Sequence, residues 1–161
     1  MTEEIMSLLD GENFELITDL SEYDNNVFQG LFMKCTGLTD VSELVLPATV
    51  LSDYCYSLMF CLCSSLTTAP KLPATKLADY CYSSMFNQCT SLTTAPELPA
   101  TTLYKGCYQN MFNRCKSLTT APVLNALVVE PFAYRAMFSN CNNLNYVKCL
   151  ALELIEYTST A

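Results

Sequence analysis

SSLTTAPKLPATKLADYCYSSMFNQC at positions 64–89 is followed at 90–115 by TSLTTAPELPATTLYKGCYQNMFNRC, so the chain writes nearly the same 26 residues twice in succession. The register extends in both directions. Met59, Met85, Met111 and Met137 fall at intervals of 26, each followed by Phe. Cys63, Cys89, Cys115 and Cys141 keep the same spacing, as do Leu66, Leu92, Leu118 and Leu144, with Pro73 and Pro99 between them. Upstream, Leu31–Phe32, Cys35 and Leu38 open a variant copy that carries two extra residues. A period in this range is the mark of units that stack on one another.

Each unit divides into two halves. DYCYSSMFNQC places Cys81, Tyr82, Met85, Phe86 and Cys89 at i, i+1, i+4, i+5 and i+8, a spacing that predicts one face of a short helix. A helix of two turns is unstable alone and needs its neighbours. In SLTTAPELPATTL, Leu92, Ala95, Leu98 and Leu103 alternate loosely with threonine, and Pro96 and Pro99 forbid a helix. That half reads as a short extended element and an irregular turn. Neither half has a core of its own. Stacking supplies one, with strand beside parallel strand, helix beside helix, and Leu, Cys, Met and Phe enclosed. The expectation is an α/β repeat with short parallel strands on one face and short helices on the other.

The wording of the unit also resembles a known family. Phe60, Cys63, Leu66, Ala69, Leu72, Pro73 and Leu77 run in the order found in BspA-like leucine-rich repeats of bacterial surface proteins. The order recurs through Phe86, Cys89, Leu92, Ala95, Leu98, Pro99 and Leu103, and again through Phe112, Cys115, Leu118, Ala121 and Leu124, where Asn125 replaces the proline. The unit here is longer than the family's usual one, and Ala69, Ala95 and Ala121 stand where an aliphatic residue is usual. The resemblance implies a leucine-rich-repeat solenoid, a cell-surface or secreted location, and adhesion or binding of host material. It carries no catalytic residues over.

Composition limits the alternatives. The chain has 161 residues, is 51 % hydrophobic and carries a net charge of −8, which suits one domain with a real core. No run of apolar residues is long enough for a membrane span, and Met1–Glu4 does not open a signal peptide. Eight acids and no Lys or Arg occupy the first 24 residues, an unfavourable surface for nucleic acid. Three segments follow: an acidic N-terminal cap at 1–30, the repeats at 31–146, and a C-terminal cap or the start of a linker at 147–161. In the last of these, Val147, Leu150, Leu152 and Ile155 are expected to close the final layer.

The ten cysteines admit three readings. Buried free thiols suit the two columns Cys55–Cys81–Cys107 and Cys63–Cys89–Cys115–Cys141, because side chains in one column point the same way on successive layers and bridge poorly. A disulfide framework would suit an extracellular protein. Metal binding has little support: there is no His, no C-x-x-C pair, and Cys61-x-Cys63 stands isolated. Without His, a Ser–His–Asp or Cys–His pair is impossible, and no phosphate-cradling glycine motif occurs. Asp53 and Asp79 hold one register position that becomes Lys105 a unit later, which favours a structural role.

No enzyme, cofactor or metal site is therefore expected. If binding is the task, one face should vary above a constant core. Thr68, Lys71, Thr94, Glu97, Thr120 and Val123 are the candidates, with Lys71, Glu97 and Val123 changing character down one column. The tyrosines of the YCY motif could add an aromatic display, although core packing explains them more simply. The reading is a non-enzymatic scaffold for a protein or glycan partner at a bacterial surface; the alternative is a structural spacer presenting another domain.

Overall fold

The computed structural model describes residues 16–154. It overturns the α/β leucine-rich-repeat solenoid expected from the sequence. No α-helix occurs among the described residues; 53–62, 79–88, 105–114 and 131–140 are instead unbroken runs of turns. The extended halves are equally reduced. Two strands of two residues each, β1 (Val128–Val129) and β2 (Glu153–Leu154), pair in parallel. Elsewhere pairing shrinks to isolated parallel bridges, such as Val50 with Lys76 and Thr94 with Thr120. Prolines in these segments lack the N–H that a longer ladder needs.

The backbone bonds explain why the turn runs are not helices. A helix sends every interior N–H four residues back along its own chain. Here alternate N–H groups leave the segment altogether. Tyr80, Tyr82, Ser84, Phe86 and Gln88 donate to the carbonyls of Lys105, Cys107, Gln109, Met111 and Asn113, at 2.8–3.1 Å. The intervening N–H groups of Ser83, Met85, Asn87 and Cys89 close turns onto the carbonyls of Tyr80, Tyr82, Ser84 and Phe86. Every fourth residue then takes positive φ: Tyr80 at 55°, Ser84 at 57° and Gln88 at 63°. That residue is third in alternate turns, the place where a type II turn requires positive φ.

The same pattern recurs in each layer. Positive φ is found at Asn26, Gly30 and Lys34, at Tyr54, Leu58 and Leu62, at Gly106, Asn110 and Arg114, and at Phe132, Ala136 and Asn140. Thirteen of the described residues in this conformation are not glycine. Each costs about 1–2 kcal/mol relative to the ordinary right-handed region, so the surroundings must impose the conformation. The bonds to the next layer do so, together with the burial of the residues between.

Those intervening residues build the core as columns. Phe32, Phe60, Phe86, Phe112 and Phe138 stack with centroids 5.5–5.6 Å apart. Phe28, Tyr56, Tyr82, Tyr108 and Tyr134 form a second ladder at 5.7–6.0 Å. Met59, Met85 and Met111 and Leu66, Leu92 and Leu118 are inaccessible to solvent. Burying each leucine in this way stabilises by about 1.5–3 kcal/mol.

The thiols complete the columns. All ten cysteines are free; eight are buried, while Cys35 and Cys149 are exposed. The Sγ of Cys63, Cys89, Cys115 and Cys141 donate to the carbonyls of Phe32, Phe60, Phe86 and Phe112 at 3.0–3.1 Å. Each of these contacts reaches back one layer, and a thiol supplies it without the desolvation burden of a stronger polar group. Desolvation pushes the Cys63 thiol up to about 11 and those of Cys55 and Cys107 to about 12. Asp53 and Asp79 also tie layers together, their carboxylates accepting from the N–H of Asp79 and of Lys105.

The C-terminal end departs from expectation in its facing. Val147, Leu150 and Leu152 are 39 %, 38 % and 80 % exposed; Ile155 lies outside the described residues. The last layer is held by backbone, through Leu150 N–H to the Leu124 carbonyl, Leu152 N–H to that of Leu127, and the β1–β2 pair. In this register Ala151 packs against the core, which turns its neighbours Leu150 and Leu152 outward, since side chains alternate along extended chain. Among the described residues no helix is long and apolar enough to cross a membrane.

Candidate binding face

Thr68, Thr94 and Thr120 occupy equivalent places in successive layers, all exposed. Thr94 and Thr120 are brought together by a parallel bridge, and Thr68 is bridged in the same way to Asp40. Two of the threonines that precede these members, Thr67 and Thr119, serve the fold through their hydroxyls. Thr67 Oγ1 donates to the Thr39 carbonyl at 2.8 Å and Thr119 Oγ1 to that of Thr93 at 3.2 Å. The second hydroxyl of the pair is left for solvent at Thr94 and Thr120, which make no side-chain hydrogen bond among the described residues. One threonine stitches layers and the next is displayed.

Lys71 and Glu97 are exposed beside this column, whereas Val123 is half-buried. Leu72, Leu98 and Leu124 lie beneath them as a buried row. Five of the six proposed residues are therefore presented outward, and Val123 is partly withdrawn. The face offers hydroxyls that both donate and accept, with one positive and one negative side chain. Such a surface is suited to contact with a polar partner.

The YCY motif splits between roles. Tyr56, Tyr82 and Tyr108 are core. Tyr54 and Tyr104 are exposed, at 37 % and 44 %, and Tyr54 stacks on the half-buried Tyr80 at 5.0 Å. Two surface features escaped sequence reasoning. A cavity of about 530 Å³ is lined by Thr101, Thr102, Asn125, Leu127, Val128 and Glu130, among others. A polar cleft of about 280 Å³ runs between the columns Gln88–Arg114–Asn140 and Thr90–Lys116–Asn142. Gln88, Arg114 and Asn140 all have positive φ. The changing polar character of every fourth residue in the turn runs was the available signal for this cleft.

The buried thiols are held protonated by desolvation, and protonated thiols are poor nucleophiles and metal ligands. Among the described residues no group of three or more Cys, Asp or Glu is placed to hold a metal ion. Compared with protein-family models, curated proteins and solved structures, the chain matches none.

Proposed function

We propose that this chain is a non-enzymatic repeat scaffold that binds a protein or glycan through the face carrying Thr68, Lys71, Thr94, Glu97, Thr120 and Val123. The observation that carries the reading is the contrast within one register. Buried columns keep their residues from layer to layer, while the column beside the threonines passes from exposed Lys71 and Glu97 to half-buried Val123. A stack held by its backbone and core leaves such a column free to vary with the partner. The resemblance of the repeat wording to BspA-like surface proteins supports a bacterial cell-surface or secreted location.

The test is a glycan array and a panel of extracellular proteins probed with the intact chain. A Thr94→Arg, Thr120→Arg double variant should bind the selected partner at least tenfold more weakly. Glu22→Arg, at an exposed turn of the first layer, should leave binding unchanged. No partner in either screen, or equal binding by both variants, would remove the reading and leave a structural spacer.

A further inference from the structure

In the turn runs the hydrogen bonds between layers are polar in direction. Each run sends N–H groups forward and receives them on its carbonyls from behind, whereas the extended halves donate both ways. Tyr108, Asn110, Phe112 and Arg114 donate forward to Ala133, Arg135, Met137 and Ser139. In that last turn run, the N–H groups of Tyr134, Ala136, Phe138 and Asn140 have no acceptor among the described residues. In the first, the carbonyls of Val27, Gln29, Leu31 and Met33 have no donor among them. One end is a row of donors and the other a row of acceptors, in matching register.

We infer that the C-terminal end of one chain docks head-to-tail on the N-terminal end of a second copy. The four N–H groups of residues 134–140 meet the four carbonyls of residues 27–33 of the next copy. Donors facing donors, or acceptors facing acceptors, cannot pair, so two identical turn-run rows cannot join each other and the contact between these rows is heterologous. A row without partners among the described residues is a template for another chain.

Three further features fit the same occupant. Phe32 and Phe138 are half-buried, unlike the inaccessible Phe60, Phe86 and Phe112, and docking continues their ladder. Cys35 heads the thiol column but is exposed; in the docked pair it takes the Phe138 carbonyl of the preceding copy, as Cys141 takes that of Phe112 at 3.0 Å. The N-terminal end is net acidic, with Asp19, Glu22 and Asp24 against Lys34, and it meets exposed Arg135 and Lys148 on a C-terminal end that also carries Glu130 and Glu153.

The experiment uses full-length chains in sedimentation velocity from micromolar to millimolar concentration. Wild type should form elongated oligomers that grow with concentration, and labelling of Cys35 should slow in parallel. A donor-end variant, Arg135→Glu with Lys148→Glu, and an acceptor-end variant, Gln29→Arg with Leu31→Arg, should each associate at least tenfold more weakly. Mixed in equal amounts, they should form dimers and nothing larger, because each supplies the end the other has lost. Slow labelling of Cys89 checks that both remain folded; single substitutions replace a double that does not. A monomeric wild type at millimolar concentration would overturn the inference, as would a discrete two-fold dimer or variants that fail to complement.

Discussion

Gly106 shows how little latitude a single position has in this stack. Its φ is +59°, and a Cβ added there would overlap the ring of Tyr80. The equivalent residues in the other layers, Tyr54, Tyr80 and Phe132, have the same backbone sign and carry large side chains, so glycine is required by the neighbouring ring. Gly106→Ala should destabilise by about 2 kcal/mol or more, through overpacking and left-handed strain together. A chemical-denaturation midpoint unchanged from wild type would show that Tyr80 can move aside. Tyr108 gives the opposite case. Its hydroxyl is buried without a hydrogen-bond partner among the described residues, and Phe28 already fills this column in the first layer. Removing an unpaired buried hydroxyl relieves its desolvation penalty. Tyr108→Phe should therefore raise stability by about 1 kcal/mol, and a loss of similar size would reveal a partner for the oxygen.

At the scale of the element, the turn run explains both what could be read from sequence and what could not. Leu92 is inaccessible, whereas Thr94, two residues on, is exposed. Leu92→Ala should cost about 2–5 kcal/mol and leave a cavity, while Thr94→Ala should stay within about 0.5 kcal/mol. Equal shifts in denaturant melts would mean that the faces are misassigned. The burial of this half-unit was legible because apolar residues recur at fixed places: Cys81, Tyr82, Met85, Phe86 and Cys89 are all buried, as the sequence predicts. Their secondary structure was not. A spacing of i, i+1, i+4, i+5, i+8 suits a helix of 3.6 residues per turn over a short span, but it suits a period of four equally well. Asn26, Gly30, Gly106, Asn110 and Asn140, residue types that tolerate positive φ, stand at the left-handed positions. Tyr80, Ser84 and Gln88 hide that signal in the clearest copy. Where the N–H groups go is decided by the next layer, and no single unit records it. The candidate face was legible for a simpler reason: the threonines and charges of the extended half fall outside the apolar columns. The cleft along Gln88, Arg114 and Asn140 was missed because it rests on the turn geometry.

For the whole molecule, the columns of neutral thiols make stability depend on alkaline pH. Cys63 is raised from 9.0 to about 11, and Cys55 and Cys107 to about 12, chiefly by desolvation. The folded state therefore keeps protons that the unfolded chain gives up above pH 9.0. This contribution is fully present below that value and is lost as pH rises toward the folded values. The unfolding midpoint should be flat between about pH 6 and 8 as far as these groups are concerned, and fall steadily above about pH 9. A midpoint unchanged up to about pH 11 would place the thiols in solvent. The central claim is that neighbouring layers, rather than helices within a layer, satisfy the backbone. Nuclear magnetic resonance tests it most directly, through couplings across hydrogen bonds and amide contacts for residues 80–88. The account predicts couplings from the N–H of Tyr82, Ser84 and Phe86 to the carbonyls of Cys107, Gln109 and Met111, with positive φ at Ser84 and Gln88. A continuous series of helical contacts within 80–88, with no link to 105–113, would contradict it.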